Sequence, residues 1–369
     1  MLAGTNSITG KWQTMTTLII GSYTHSLPHV VAKGSGVSLL RLDGETARIE
    51  PVDVIGAIRN PTYLALSPDE QTLYCVEELD QKDGAAVAIL KLDVDQDRWS
   101  VSDRFPVPGD APCHVSVDES SKWLFISNYG SGNFIAYPLG ADGLRNREGI
   151  DIRRAGRGAN PDRQEGPHVH QVTVSPDNRY VLICDAGTDE IARYPLSEEG
   201  PESQPDLAIK AKPGSLPRHL TFSRDGKYVF ALQELGCTIT RYAYADEGLQ
   251  LLGEISTLPA GYVGMSAGAA IHLHPNGRFL YASNRGDDSI AAFEVGEERG
   301  ELVSIGWFST GGRTPRDFAI DPSGRFLVAA NQDSDTLVVF SIDPASGALS
   351  SVGDPYSIGT PVCVLFAGN

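Results

Sequence analysis

Val172-Thr173-Val174-Ser175-Pro176-Asp177-Asn178-Arg179-Tyr180-Val181-Leu182-Ile183-Cys184 reads as strand, tight turn, strand. Ser-Pro-Asp-Asn supplies turn formers, and β-branched and aromatic residues flank it on both sides. The phrase returns at Ser67-Pro68-Asp69, Val117-Asp118-Glu119, Ser223-Arg224-Asp225-Gly226, His274-Pro275-Asn276-Gly277 and Asp321-Pro322-Ser323-Gly324. Successive copies lie roughly fifty residues apart, the spacing of propeller blades. A third short strand follows in most copies (residues 133–137, 190–194 and 289–293), and a fourth fits the variable stretch before the next copy. Four-stranded sheets repeated around an axis make an all-β fold, a β-propeller.

The ends of the chain supply one more blade. Residues 18–24 resemble the second strand of a copy, and residues 360–366 resemble a first strand. Six internal copies plus this shared one predict seven blades, closed by pairing of the N- and C-terminal strands within a single domain over 17–369. Residues 1–16 show no strand pattern and read as a disordered leader. Met15, just ahead of the first strand, is a possible alternative translation start.

Composition narrows the function. The formal charge is -17, which argues against nucleic acid, whose phosphates demand a basic surface. No apolar run is long enough to span a bilayer and no signal-peptide pattern opens the chain, so the expected location is the cytoplasm, with no membrane partner. Five scattered cysteines without a CxxC pair are expected to be reduced and structural. No patch in the sequence declares an oligomeric interface.

Against the acidic background, basic residues gather at one place. In a propeller, the residues before the first strand and after the second of each blade meet at one mouth. Aligned on the turns, one position reads Thr62, Cys113, His170, Arg218, Ala269, Arg316, and the next reads Tyr63, His114, Gln171, His219, Ala270, Asp317. The returning strands end in Glu77-Glu78, Asn128-Tyr129, Asp185-Ala186, Gln233-Glu234, Asn284-Arg285 and Asn331-Gln332. Solvated turn formers explain Asp185, Asn284 and Asn331 individually. They do not explain imidazoles, guanidiniums and a carboxylate at one rim, which mark a site for a small anionic ligand.

Gly166-Pro167-His168-Val169-His170-Gln171, Leu216-Pro217-Arg218-His219, Leu232-Gln233-Glu234-Leu235, Ser283-Asn284-Arg285-Gly286 and residues 314–322 resemble the motifs of the seven-bladed propeller lactonases. That family includes propeller-type 6-phosphogluconolactonases and 3-carboxy-cis,cis-muconate lactonizing enzymes, and the similarity runs from Gly21 to Cys363. It implies a catalytic quartet of His170, Arg218, Glu234 and Arg285, with Arg316 competing for the last role. His168, Gln171, Asn128, Tyr129, His219 and Arg316 are the expected substrate-binding residues. The implied reaction is cofactor-free and metal-independent hydrolysis of a sugar lactone, foremost 6-phosphogluconolactone of the pentose phosphate pathway. On this reading Glu234 activates water, Arg218 and Arg285 hold the anion and the developing oxyanion, and His170 protonates the leaving oxygen.

Other readings set bounds on this one. A cycloisomerase would use the same arginines for the carboxylates of a carboxymuconate, and a non-catalytic scaffold would expose large apolar residues at the mouth instead. Glu234 and Arg218 could form a structural rim pair. His168 and His170 share a face at metal-ligand spacing, but no third ligand is near in sequence. His272 and His274 repeat the spacing, with His274 opening a turn far from the mouth. The sequence leaves open whether the loop carrying His25 and His29 covers the mouth. Residues 156–165, with Arg157 and Arg163, are either a solvated loop or a lid that brings positive charge to the ligand. The glycines of 261–268 lack the strand-to-helix setting of a nucleotide loop.

Overall fold

The repeated turn works through one side chain. Ser67, Ser175 and Ser223 each accept, through Oγ, the backbone N–H five residues on, from Thr72 (3.0 Å), Tyr180 (3.0 Å) and Tyr228 (2.9 Å). Asp118 and Asp321 take the same N–H through Oδ1, from Trp123 and Phe326, both at 2.6 Å. Each turn thereby satisfies a donor that would otherwise be stranded where the second strand starts. In the fifth copy, His274 Nδ1 accepts Asn276 N–H (3.1 Å) and Nε2 meets the Gly324 carbonyl (2.8 Å), so this histidine is a turn residue.

The computed structural model describes residues 15–367. Seven antiparallel sheets follow one another around a ring. We number as blades 1 to 6 the sheets of residues 64–106, 112–153, 169–210, 217–256, 267–309 and 315–357. Blade 7 joins Pro361–Ala367 to Met15–Ser22, Val37–Asp43 and Ile49–Ile55, with Leu18 opposite Phe366 and Ile20 opposite Val364. Blade 3 adds a two-residue ladder, Gly200–Pro201 against Leu196–Ser197, beside its four strands. The expected leader lies outside the described residues except for Met15 and Thr16, which belong to the first strand and pair with Asp43 and Leu42.

Blade faces alternate with period two, so neighbouring residues serve different interfaces. Leu18 and Ile20 pack with Phe326, Val328 and Val339 of blade 6, while Ile19 packs with Leu73, Cys75 and Leu90 of blade 1. Each of the other blade pairs has its own cluster, and the seven together close the ring. All five cysteines are buried and free. No helix among the described residues is long and apolar enough to cross a membrane.

On the face opposite the turns, the chain enters five of the seven inner strands by a tight corner. Asn60, Ala111, Leu216, Thr314 and Thr360, each followed by proline, have φ between 42° and 58°. Only tertiary contacts hold non-glycine residues there. Their carbonyls accept the N–H of Glu78, Tyr129, Glu234, Gln332 and Tyr23, the residues just past the returning strands. Proline then starts the inner strand without a donor to satisfy, and the next residue forms a β-bulge. Cys113, His170, Arg218, Arg316 and Val362 are skipped in the pairing of their blades, as are Ala269 and Ala270 together in blade 5.

Candidate active site

A bulge bends its strand and re-aims one side chain. Here it turns the column Cys113, His170, Arg218 and Arg316 toward the mouth, against the returning column Tyr23, Glu78, Tyr129, Glu234 and Arg285. A cavity of about 410 Å³ lies between them, lined by His29, Glu78, Cys113, Tyr129, Arg163, His170, Glu234, Arg285 and Arg316.

Glu234 is the hub. Its Oε1 lies 3.0 Å from Arg163 Nη2 and 3.2 Å from Arg285 Nη2, and its Oε2 lies 3.8 Å from Arg218 Nε. Burial pushes the carboxyl pKa up, but Arg285, Arg218 and Arg163 outweigh it and bring it down to about 2. Arg218 is 4 % exposed and sits behind Glu234. Burial first, then Arg285 and Arg316, lowers its pKa to about 9 despite Glu234. Blade 5 has no long side chain at its bulge and offers carbonyls instead. Arg218 Nη1 donates to Ala269 O, and Arg285 Nη2 donates to Gly268 O at 3.0 Å. A Cβ on Gly268 would lie 3.0 Å from Leu232 Cδ1 and 3.2 Å from the Gln233 carbonyl, so the glycine packs closely on blade 4.

His170 lines the cavity with its ring edge-on to Tyr129 (5.7 Å) and His219 (5.1 Å). Its Nδ1 is buried without a partner. Burial, then Arg218, Arg316 and Arg285, holds its pKa well below the usual imidazole value. The resting pocket therefore favours the neutral form of His170. The rings of His219, His114 and Tyr63 pack beneath it, and burial and Arg218 lower His114 to about 3.

Residues 156–165 bring Arg163 into the cavity. Gln164 braces the loop: its Oε1 accepts Asn160 N–H and its Nε2 donates to Ala186 O, both at 2.8 Å. A Cβ on Gly158 would lie 2.3 Å from the Gln164 side chain, so the braced amide packs directly on this glycine. Arg163 Nη2 also reaches Tyr129 Oη (3.3 Å). Arg157 is exposed. His168 lies outside the cavity lining and positions its neighbours, with Nδ1 2.8 Å from Tyr129 O, Nε2 3.2 Å from Glu165 Oε1, and its ring stacked on Tyr129 at 4.5 Å.

Two expected ligands of the substrate are engaged elsewhere. Gln171 donates Nε2 to Leu220 O (3.3 Å) and accepts Leu220 N–H on Oε1 (2.6 Å), stitching blade 3 to blade 4. Asn128 is fully buried, with Nδ2 on Asn133 Oδ1 (3.2 Å). It belongs to a structural column with Asp185, Asn284 and Asn331, which bond the linkers around them. His219 lies below the cavity, whereas Tyr129 and Arg316 line it. His29 and Glu78 join the site, Glu78 accepting the Tyr23 hydroxyl at 3.0 Å; His25 is exposed. The strand-end alignment contained Glu78, but no motif set it apart. Among the described residues no group of three or more His, Cys, Asp or Glu is arranged to hold a metal. The four arginines against Glu78 and Glu234 leave two positive charges in excess, inside a chain of formal charge -17.

The fold and this polar mouth place the chain among known proteins. A family model described as a seven-bladed β-propeller lactonase matches residues 17–366, and the chain belongs to that family. It is 32% identical over 309 residues to a Bacillus subtilis 6-phosphogluconolactonase, covering 82% of this chain and 84% of the relative. A crystal structure of a candidate 6-phosphogluconolactonase from Bacteroides fragilis superposes with a TM-score of 0.88 at 30% identity, over 99% of this chain and 100% of that one. A periplasmic gluconolactonase of Pseudomonas aeruginosa gives 0.87 at 30% identity, over 96% and 99%.

Proposed function

We propose that the chain hydrolyses an anionic sugar lactone, 6-phosphogluconolactone foremost, in the cavity at the propeller mouth. The observation that carries this reading is the convergence of a buried imidazole, His170, with a carboxylate-tethered set of guanidiniums in one cavity. The named relatives support the reaction class.

Ring opening needs a proton acceptor for water, stabilisation of the oxyanion and a proton for the departing alkoxide. Glu234, held near pKa 2 with both oxygens facing guanidiniums, is a poor proton acceptor. We therefore give both proton transfers to His170. The His170 ring nitrogen that faces the cavity takes a proton as the water oxygen bonds to the lactone carbonyl carbon. The tetrahedral oxyanion forms in the field of Arg285 and Arg218, which Glu234 keeps in place. When the bond from that carbon to the ring oxygen breaks, the imidazolium returns its proton to the ring oxygen. The new carboxylic acid then ionises, releasing one proton per turnover.

The test is the opening of freshly generated 6-phosphogluconolactone, corrected for its spontaneous rate. His170→Asn is expected to lower kcat roughly 10²- to 10⁴-fold. Wild-type kcat/KM should be flat above pH 6.5 and decline at acid pH as His170 protonates. If His170→Asn stays within a few-fold of wild type while Glu234→Gln collapses, the base is Glu234.

A further inference from the structure

The four guanidiniums at the mouth differ in one respect. Arg163 is bonded to Tyr129 and Glu234, Arg218 to the Ala269 carbonyl, and Arg285 to the Gly268 carbonyl and Glu234. Arg316 makes no hydrogen bond and no ion pair with any described residue, yet it lines the cavity. What holds it is the face of Tyr23, whose ring centre lies 5.7 Å from the guanidinium carbon. A ring face fixes the guanidinium plane without using any of its N–H groups. Tyr23 is itself fixed by its hydrogen bond to Glu78 and by its edge contact with His29 at 5.8 Å.

The ring order gives this arginine a place. Arg316, Tyr23, His29 and Glu78 come from blades 6, 7 and 1, which face blades 3 and 4 across a seven-membered ring; His170 and Glu234 stand on blades 3 and 4. A ligand whose reacting carbonyl meets His170 therefore extends its far end toward Arg316. Building on the lactone hydrolase reading, we infer that Arg316 is the specificity residue that receives the substrate's remote phosphate monoester. A phosphate monoester carries about -1.5 to -2 at neutral pH, matching the two excess positive charges of the mouth, and its oxygens fit a free guanidinium fork. Glu78 uses only Oε1 on Tyr23, so Oε2 is left to accept a sugar hydroxyl.

The test compares 6-phosphogluconolactone with glucono-δ-lactone in wild type, Arg316→Met and Arg316→Lys. Arg316→Met is expected to raise KM for the phosphorylated lactone roughly 10- to 100-fold and to change its kcat little, so that the kcat/KM preference for the phosphorylated lactone over glucono-δ-lactone falls by about that factor. Lys should recover part of the loss. Because Arg316 makes no hydrogen bond or ion pair with the described residues, the variant should melt close to the wild type. An Arg316→Met enzyme that keeps its preference for the phosphorylated lactone, or loses kcat equally on both, overturns the assignment. If wild type opens neither lactone, the hydrolase reading fails, and the anion site is judged separately by calorimetry with inorganic phosphate. Binding lost in Arg316→Met supports the site, and equal binding in both proteins overturns it.

Discussion

The two faces of this propeller use the same repeat in opposite ways. On the turn face, Ser67, Asp118, Ser175, Ser223 and Asp321 all meet one local need, a backbone N–H five residues ahead. On the mouth face, the bulge residues Cys113, His170, Arg218 and Arg316 share a backbone geometry but differ in chemistry. A position that answers a local demand repeats its residue type. A position whose backbone is secured by other groups, here the pre-proline corner and the returning strand, is free to diversify into a site.

The sharpest way to break that contrast is to exchange large losses between the faces. His170→Asn should cost two to four orders of magnitude in turnover, as above, with little change in melting temperature. Asp118→Ala should do the reverse. It strips acceptors from Lys122 N–H (2.7 Å), Trp123 N–H (2.6 Å), Ser120 N–H (3.1 Å) and Asn178 Nδ2 (3.2 Å), and should lower stability by about 2–4 kcal/mol in urea titrations while the folded fraction keeps wild-type kcat. An Asp118→Ala enzyme that unfolds normally but turns over slowly would erase the division.

Acid titration separates the faces by pH. His114, His170 and His219 are all held below the normal imidazole pKa, chiefly by burial. Below about pH 6.5 the unfolded chain takes up protons that the folded one refuses, so stability is full above that pH and falls beneath it. The slope is up to about 1.4 kcal/mol per pH unit for each histidine. On the turn face, Ser67 lowers the pKa of Asp69; at Asp177 and Asp225 burial is the largest single influence, but Ser175 with Arg179 and Ser223 with Lys227 together outweigh it and lower the pKa. Their contribution is complete above the unfolded carboxylate pKa, about 4, and is lost only below it. Urea midpoints against pH should show two acid phases, and His114→Phe should shallow only the upper one. The smallest effect is expected at the lid. Arg163→Ala removes a cation that is 39% exposed and tied to Tyr129 and Glu234. It should raise KM several-fold with kcat within about threefold, on the scale of one partly exposed charged hydrogen bond.

How far the site was legible follows from the same contrast. Aligning the turns placed His170, Arg218 and Arg316 in one column and Tyr129, Glu234 and Arg285 in another, because bulge and strand end keep a fixed distance from the turn. The alignment could not tell which strand-end residues face the ligand. Asn128 and Gln171 look as polar as Tyr129 and His170 in the sequence, yet their amides are taken up by Asn133 and by the Leu220 backbone. The contribution of residues 156–165 was equally hidden. Arg157 and Arg163 are alike in sequence, and only the brace through Gln164 and Ala186 sends Arg163 to Glu234 while Arg157 stays in solvent.

The sequence by itself determined the strand–turn–strand period, the seven blades and the closing of the ring by the chain ends, because turn chemistry and period-two alternation are local and repeat. Only the tertiary structure decided the protonation of the site and the free state of Arg316. Burial and the positive field of Arg218, Arg316 and Arg285 keep His170 neutral, while Arg285, Arg218 and Arg163 hold Glu234 ionised against its burial. Whether a guanidinium finds a carbonyl, a carboxylate or only a ring face depends on neighbours brought from the next blade, more than 50 residues away in the chain, as Ala269 is for Arg218 and Tyr23 is for Arg316.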